Sequence, residues 1–404
     1  MRKDVKNKLE WNIRLVYIQA FVFGIAFFYN EVIGLYYRVF SLSFTQISMV
    51  LLVVLFAGLL LEVPSGAFAD LHGRKKSMMM AGVLLSLGLG VLAFLPGFWF
   101  FIIAAIFMGM AWAFWSGAFQ ALLYDSLKDL KREKEFLKIM SAEVSIMLFV
   151  GIASAYFGPY LFSFDPRIPF YVAASGAVLW FVFLSMFYEP KENFKKKFDY
   201  RAHYIQMKEG LIFSLNHAKV LWLILFSTLF ILVSLIFGES LAPNFIVEYL
   251  GYSAKDLGLI MLISTILLAF LTLGITKLEK WLGEKKSLFF VVFGTALFFI
   301  LIAFTKSYFL GVFFGLFWFV STFAQKVMEN YLNVHLDKKN RATVTSISSM
   351  APSFLGLIFF PVIGFLTDKT SLFVAILSLG LISLFVGGIL LFLRYNKKVW
   401  KSLD

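Results

Sequence analysis

Seven ionisable side chains lie inside long apolar runs of this 404-residue sequence: Glu31, Glu62, Asp125, Glu143, Glu239, Lys326 and Glu329. A charge in a membrane interior costs roughly 3 kcal/mol or more, so each is a candidate for proton binding, ion pairing or contact with a charged ligand. In low-dielectric surroundings a carboxyl favours its neutral form, and a neighbouring cation favours the ionised one. Such a group can trade a proton for a cation. Glu31, next to Asn30, and Glu239 each fall in the outer half of the first apolar run of their half of the chain. The competing reading is that both simply end a helix at the water interface. Lys326 has Glu329 three residues on, which favours an ion pair on one helical face; the rival reading is a cation aimed at an anionic ligand. Glu62 and Glu143 read as packing or gate acids.

The aromatic residues offer a second kind of chemistry. Trp112, Trp115 and Phe119 form one helical stripe, and Trp318 with Thr322 and Gln325 forms another. A cavity lined this way, with Asn30, Glu31 and Lys326, would suit a flat apolar ligand or, through cation–π contact, a cation. Ordinary helix packing explains the same stripes. Other chemistries have little support. His72, His203, His217 and His335 lack metal-ligand spacing. There is no cysteine for disulfides or thiolate chemistry, and no phosphate-cradling glycine loop. No cofactor, metal or enzymatic activity is expected.

The elements that must position these groups are membrane helices. With 60% hydrophobic and 19% aromatic residues, the chain exceeds what a soluble core needs. Twelve apolar runs are predicted as helices: 13–38, 44–67, 77–96, 98–124, 138–163, 167–188, 219–242, 255–277, 287–305, 307–331, 342–366 and 371–394. Their length favours helices over a β-barrel. The polar stretch 189–218 divides them into 1–188 and 219–404, two six-helix bundles. The residues before Asn12 are basic, and the run behind them is too long for a cleavable signal. A net charge of +13 would suggest nucleic acid in a soluble chain. Here it reads as orientation and attraction to the bilayer's anionic lipid. Arg38, Arg167, Lys255, Lys306 and Lys369 fall on one side and Lys326 within a run; the other 31 of the 37 Lys and Arg fall on the opposite side. That asymmetry predicts both termini in the cytoplasm of a cell-membrane protein.

One loop carries a motif. Between the second and third runs the chain reads Glu62-Val-Pro-Ser-Gly-Ala-Phe-Ala-Asp-Leu-His-Gly-Arg-Lys-Lys76. Its order Gly66-x-x-Ala69-Asp70-x-x-Gly73-Arg74-Lys75 resembles the loop signature between helices 2 and 3 of the major facilitator superfamily, with Leu71 in place of the usual basic residue. Glu62-Val-Pro-Ser resembles the drug-efflux branch. The halves also resemble diverged copies. At an offset of 210, Asp70-Leu-His-Gly-Arg-Lys-Lys-Ser77 aligns with Lys280-Trp-Leu-Gly-Glu-Lys-Lys-Ser287, and Leu42–Ile47 aligns with Tyr252–Leu257.

The resemblance implies an all-α integral membrane fold of twelve helices, two six-helix bundles related by a pseudo-two-fold axis. It implies a monomeric secondary transporter working by alternating access on a small-molecule substrate, with protons as coupling ion. Glu31 and Glu239 become coupling candidates. Asp70, Gly73, Arg74, Asp125, Glu329 and Arg341 become gating candidates: Asp70 would face the start of helix 11 near Arg341, and Arg74 would pair with Asp125. Two departures stand out. The Arg usual in helix 4 of proton-coupled members is Ala105, and the glycine motif of helix 5 is partial, with Gly151, Gly158 and Pro159 followed by Phe162-Ser163. Efflux of amphipathic or cationic compounds is the leading expectation. A transporter of a polar metabolite such as a sugar is the runner-up, and a membrane-embedded lipid enzyme or scaffold is the reading from another class.

Overall fold

This computed structural model describes residues 3–190, 200–305, 307, 309–335 and 338–395, with the side chains at 200–207, 333–335, 338–343 and 346 left aside. Among the described residues every regular element is helical. Twelve helical segments are long and apolar enough to cross a bilayer, and their order follows the twelve expected runs. We refer to them as spans 1 to 12: Lys3–Val39, Phe44–His72, Arg74–Phe94, Phe98–Asp129, Glu133–Phe162, Ile168–Ser185, Ala218–Tyr249, Ala254–Thr272, Ile275–Phe304, Leu310–Leu332, Ile347–Lys369 and Leu372–Tyr395. Several are longer than the apolar runs because their polar ends continue the helix. The stretch between spans 6 and 7 contains a further helix, Tyr200–Asn216.

The chain divides into two compact units. The first comprises Met1–Leu42 and Met49–Phe198; the second comprises Ser43–Ser48 and Asp199–Asp404. The first unit is centred on large buried rings, including Tyr36, Phe101, Phe170 and Trp180. Tyr36 stacks on Phe170 at 3.8 Å, and its hydroxyl donates to the Leu92 carbonyl at 3.0 Å, so its polar end is satisfied as burial requires. In the second unit Phe237 sits among Phe298, Phe299, Phe314 and Phe317, with ring centroids 5.1–5.4 Å away.

The repeat is visible in the backbone. Gly73 and Gly283, aligned at the offset of 210, both have positive φ, 105° and 68°. Each lies at the turn between two consecutive helices, where a Cβ would be strained. Ser41 and Gly251, also aligned, have φ of 61° and 78°. Two residues further on, both copies form a reciprocal cap. Ser43 Oγ accepts from the Gln46 N–H while Gln46 Oε1 accepts from the Ser43 N–H. Ser253 and Asp256 do the same. Each cap satisfies donors that the first helical turn leaves open.

Candidate functional site

Two regions collect the candidate residues, one in each unit. In the first unit they gather where span 2 turns into span 3. Span 2 ends at His72, Gly73 makes the turn, and Arg74 opens span 3. Arg74 Nη1 donates to the Asp125 carboxylate on span 4 and to the Ala121 carbonyl at 2.7 Å. The Arg74–Asp125 pair is mostly shielded from solvent. Asp70 is exposed, one turn before Gly73, within electrostatic reach of Arg74.

Glu189 completes this cluster, although spacing in the sequence gave no hint of it. Its carboxylate accepts from the backbone N–H of Arg74 at 3.1 Å and of Lys75 at 2.6 Å, so it caps span 3 from 115 residues away. Burial pushes the Glu189 carboxyl above its usual range, while these two N–H groups and the nearby cations oppose the rise. Asn12 ties the same end of the unit together. It donates to Ser126 Oγ at 3.0 Å and to the Tyr188 carbonyl at 2.8 Å, and accepts from the Tyr188 N–H at 2.8 Å. The side chain of Arg341, the remaining gating candidate, lies outside the described residues.

The span 4 stripe divides. Trp115 and Phe119 are buried and stacked on each other at 4.4 Å; Trp115 also meets Trp180 edge-on at 4.8 Å. Both rings therefore pack the interior of the first unit in this state, whereas Trp112 is exposed. Asn30 and Glu31 fall in a short 3-10 turn, Asn30–Val32, that interrupts span 1; Asn30 is exposed and Glu31 half-buried.

In the second unit a cavity of about 250 Å³ lies among spans 7 and 10 and the first turn of span 11 with the helix just before it. Helical periodicity brings its wall together. Leu223, Ser227 and Ile231 come from span 7, Gln325, Met328, Glu329 and Leu332 from span 10, and Thr345, Ser348 and Ser349 from the third helix. One carboxylate, one amide and several hydroxyls thus face four apolar side chains. Lys326 Nζ stands 3.4 Å from Glu329, both well exposed. Of the expected cavity residues on span 10, Gln325 lines the cavity together with the gating candidate Glu329; Trp318 and Thr322 lie further along the same helix.

Glu239 sits in a π-helical turn, Phe237–Leu241, of span 7. Such widened turns often accompany functional sites. The Trp318 indole occupies the space where a Cβ on Gly238 would be, so span 10 packs tightly against this turn. Two neighbouring buried oxygens, Ser240 Oγ and Asn244 Oδ1, have no hydrogen-bond partner among the described residues.

Comparison with known proteins places this architecture. The Major Facilitator Superfamily model matches residues 15–351. The chain belongs to that superfamily. A relative in Bacillus subtilis (strain 168), the uncharacterized MFS-type transporter YxaM, is 27% identical over 252 residues. That match covers 59% of this chain and 60% of the relative, so the chain spans less than two thirds of the curated protein it matches. The nucleoside transporter NupG superposes with a TM-score of 0.72 at 14% identity, covering 97% of this superfamily member and 100% of NupG. A D-xylose-proton symporter gives 0.67 at 16% identity, with 94% and 97% covered. A bacterial homolog of the human lysosomal transporter Spinster, solved inward-facing and unoccupied, gives 0.70 at 13% identity, with 100% and 99% covered. At these identities the structures speak for the shared fold alone.

Proposed function

We propose that this superfamily member is a secondary transporter that exports small amphipathic or cationic compounds in exchange for protons by alternating access. The observation that carries the reading is the second-unit cavity, where the Glu329 carboxylate stands among Leu223, Ile231, Met328 and Leu332. A carboxylate pairs with a cation while apolar walls take up an organic body. Glu31 and Glu239 serve as coupling carboxyls. Asp70, Gly73, Arg74, Asp125, Glu329 and Arg341 act in gating, Arg74–Asp125 and Glu189 being the parts that bond in this state. The chain works in the cell membrane with both termini cytoplasmic, supported by the one-sided distribution of Lys and Arg. An impermeant thiol reagent on intact cells should label Lys255→Cys and miss Lys286→Cys; the reverse pattern refutes that orientation.

A second reading, transport of a neutral polar metabolite, is favoured by the other lining groups, Ser227, Gln325, Ser348 and Thr345. Hydroxyls and an amide match a hydroxylated ligand as well as a carboxylate matches a cation. Thermal shift of the purified protein against organic cations, sugars and nucleosides separates the two. Stabilisation by cations that Glu329→Gln weakens about tenfold, roughly 1.4 kcal/mol, supports the first reading. Stabilisation by neutral ligands that Glu329→Gln leaves intact supports the second and refutes the first.

A further inference from the structure

Glu143 is used by neither region described above, and its setting is unusual. It lies on span 5, seven residues into the helix Phe136–Phe162 and so about 10 Å along it. Only 6% of its surface is exposed. No cation is available within the membrane-length parts of its neighbours. The sequence has no Lys, Arg or His from Leu15 to Tyr37, from Phe98 to Leu127, from Ile139 to Pro166 or from Ile168 to Ser185. Span 5 packs against spans 1, 4 and 6, the Asn30–Val32 turn and the Glu133–Glu135 turn. Among the described residues, the polar or titratable side chain from these elements that acts on Glu143 is Gln19 of span 1.

The orientation of Gln19 is determined by chemistry. Trp180 of span 6 can only donate, and its Nε1–H reaches Gln19 Oε1 at 3.0 Å. The oxygen end of the amide therefore faces Trp180, which leaves the NH2 end for Glu143. That nitrogen is buried and has no hydrogen-bond partner among the described residues, so it stands near Glu143 as an unused donor. Gln19 itself is fully buried. Span 1 and span 5 also meet closely nearby: Val150 atoms lie 2.7 Å from where a Cβ on Gly24 would be. An organic ligand or hydrated ion has no room at such a carboxyl, whereas a proton does.

From this geometry we infer that Glu143 is a proton-binding site of the first unit, and that Gln19 is the positioning residue linking its protonation state to spans 1 and 6. The step is simple: the carboxylate takes one proton from water and becomes a neutral acid, and the reverse step returns it. As an anion, Glu143 has the unused Gln19 amide as its nearby buried donor and no cation in the membrane-length runs around it. As a neutral acid it needs neither. Each change of charge therefore alters what Gln19 must do, and Gln19 is held to Trp180. The inference deepens the proton-coupled reading but does not depend on it, because proton binding can be read without any substrate.

The test is infrared difference spectroscopy of the purified protein during a pH titration, which reports the C=O stretch of a protonated buried carboxyl. The expected result is a titrating band that Glu143→Gln removes and that Glu31→Gln and Glu239→Gln leave in place. Gln19→Leu, which keeps Glu143 but removes its donor, should move the midpoint of that band to higher pH and change its frequency. A structural defect at residue 143 would not produce that shift. If Glu143→Gln removes no titrating band, or if the band it removes is unmoved by Gln19→Leu, the inference is overturned. Proton flux in liposomes then separates the two readings. A band that behaves as expected without pH-driven exchange refutes proton coupling while leaving the proton site in place.

Discussion

The two units use the same turn for different electrostatics. Arg74 in the first unit aligns with Glu284 in the second, so the loop charge is inverted. Each then meets the far end of its own unit with the opposite sign. Glu189, just after span 6, caps the Arg74 turn, and Arg394, at the end of span 12, bonds to Glu284 at 2.9 Å. The repeat has thus kept a link between the third and sixth spans of each copy while exchanging the partners' charges. What differs is the fourth span of each copy. Asp125 joins the Arg74 cluster; Glu329, its counterpart at an offset of 204, pairs with Lys326 and lines the cavity. Loss of the loop cation in the second unit frees that acid from the turn. The same pair of positions serves as a structural tie in one unit and lines a cavity in the other.

The largest effect should come from removing the loop cation where it is tied most closely. Arg74→Ala removes the Arg74 cation from Asp125 and the side-chain donor from the Ala121 carbonyl, inside a mostly shielded pair. Breaking one partner of such a pair is expected to cost about 3 kcal/mol. Glu284→Ala breaks a more exposed pair, in which the glutamate side chain is 41% accessible. Its cost should stay below about 1 kcal/mol. Thermal unfolding of the two variants side by side measures the contrast. Equal losses would mean that the charge inversion carries no structural consequence.

The turns themselves should behave alike. Gly73→Ala and Gly283→Ala each place a Cβ on a backbone with positive φ, at a cost of about 1–2 kcal/mol. The two losses should agree within about 0.5 kcal/mol if the repeat has conserved the turn and changed only its charges. A cost at Gly73 alone would make the second turn a relic that its unit tolerates losing.

How much of this was legible in the sequence follows from the range of each signal. The twelve spans came through because membrane-length apolar runs are local and long. The Arg74 to Asp125 contact was readable because the loop motif names both the turn and its partner. Glu189 was not, because nothing in its surroundings points 115 residues back to two backbone N–H groups. Gln19 and Trp180 were invisible for the same reason: an amide and an indole in apolar runs look like any other residues until three helices bring them together. The aromatic stripe on span 4 was read from spacing, but periodicity tells which residues share a face, not what that face meets. Trp115 meets Trp180 and Phe119 stacks on Trp115 in the interior, while Trp112 of this stripe is exposed.

The smallest effect is the most informative about the comparison. Lys326→Ala removes the partner of Glu329 from a pair in which both side chains are well exposed. Exposed pairs of this kind contribute about 0–1 kcal/mol, so unfolding should change little. Binding should change more than stability. Glu329 faces the cavity, and Lys326 offsets part of its charge. Without the lysine an organic cation would meet an uncompensated carboxylate and should bind a few-fold more tightly, by about 0.5–1 kcal/mol at low salt. Added salt should erase the gain. If Lys326→Ala instead weakens cations as Glu329→Gln is expected to, the pair acts as one ligand-holding unit. Glu329 would then not be the freed counterpart of Asp125 that the comparison makes it.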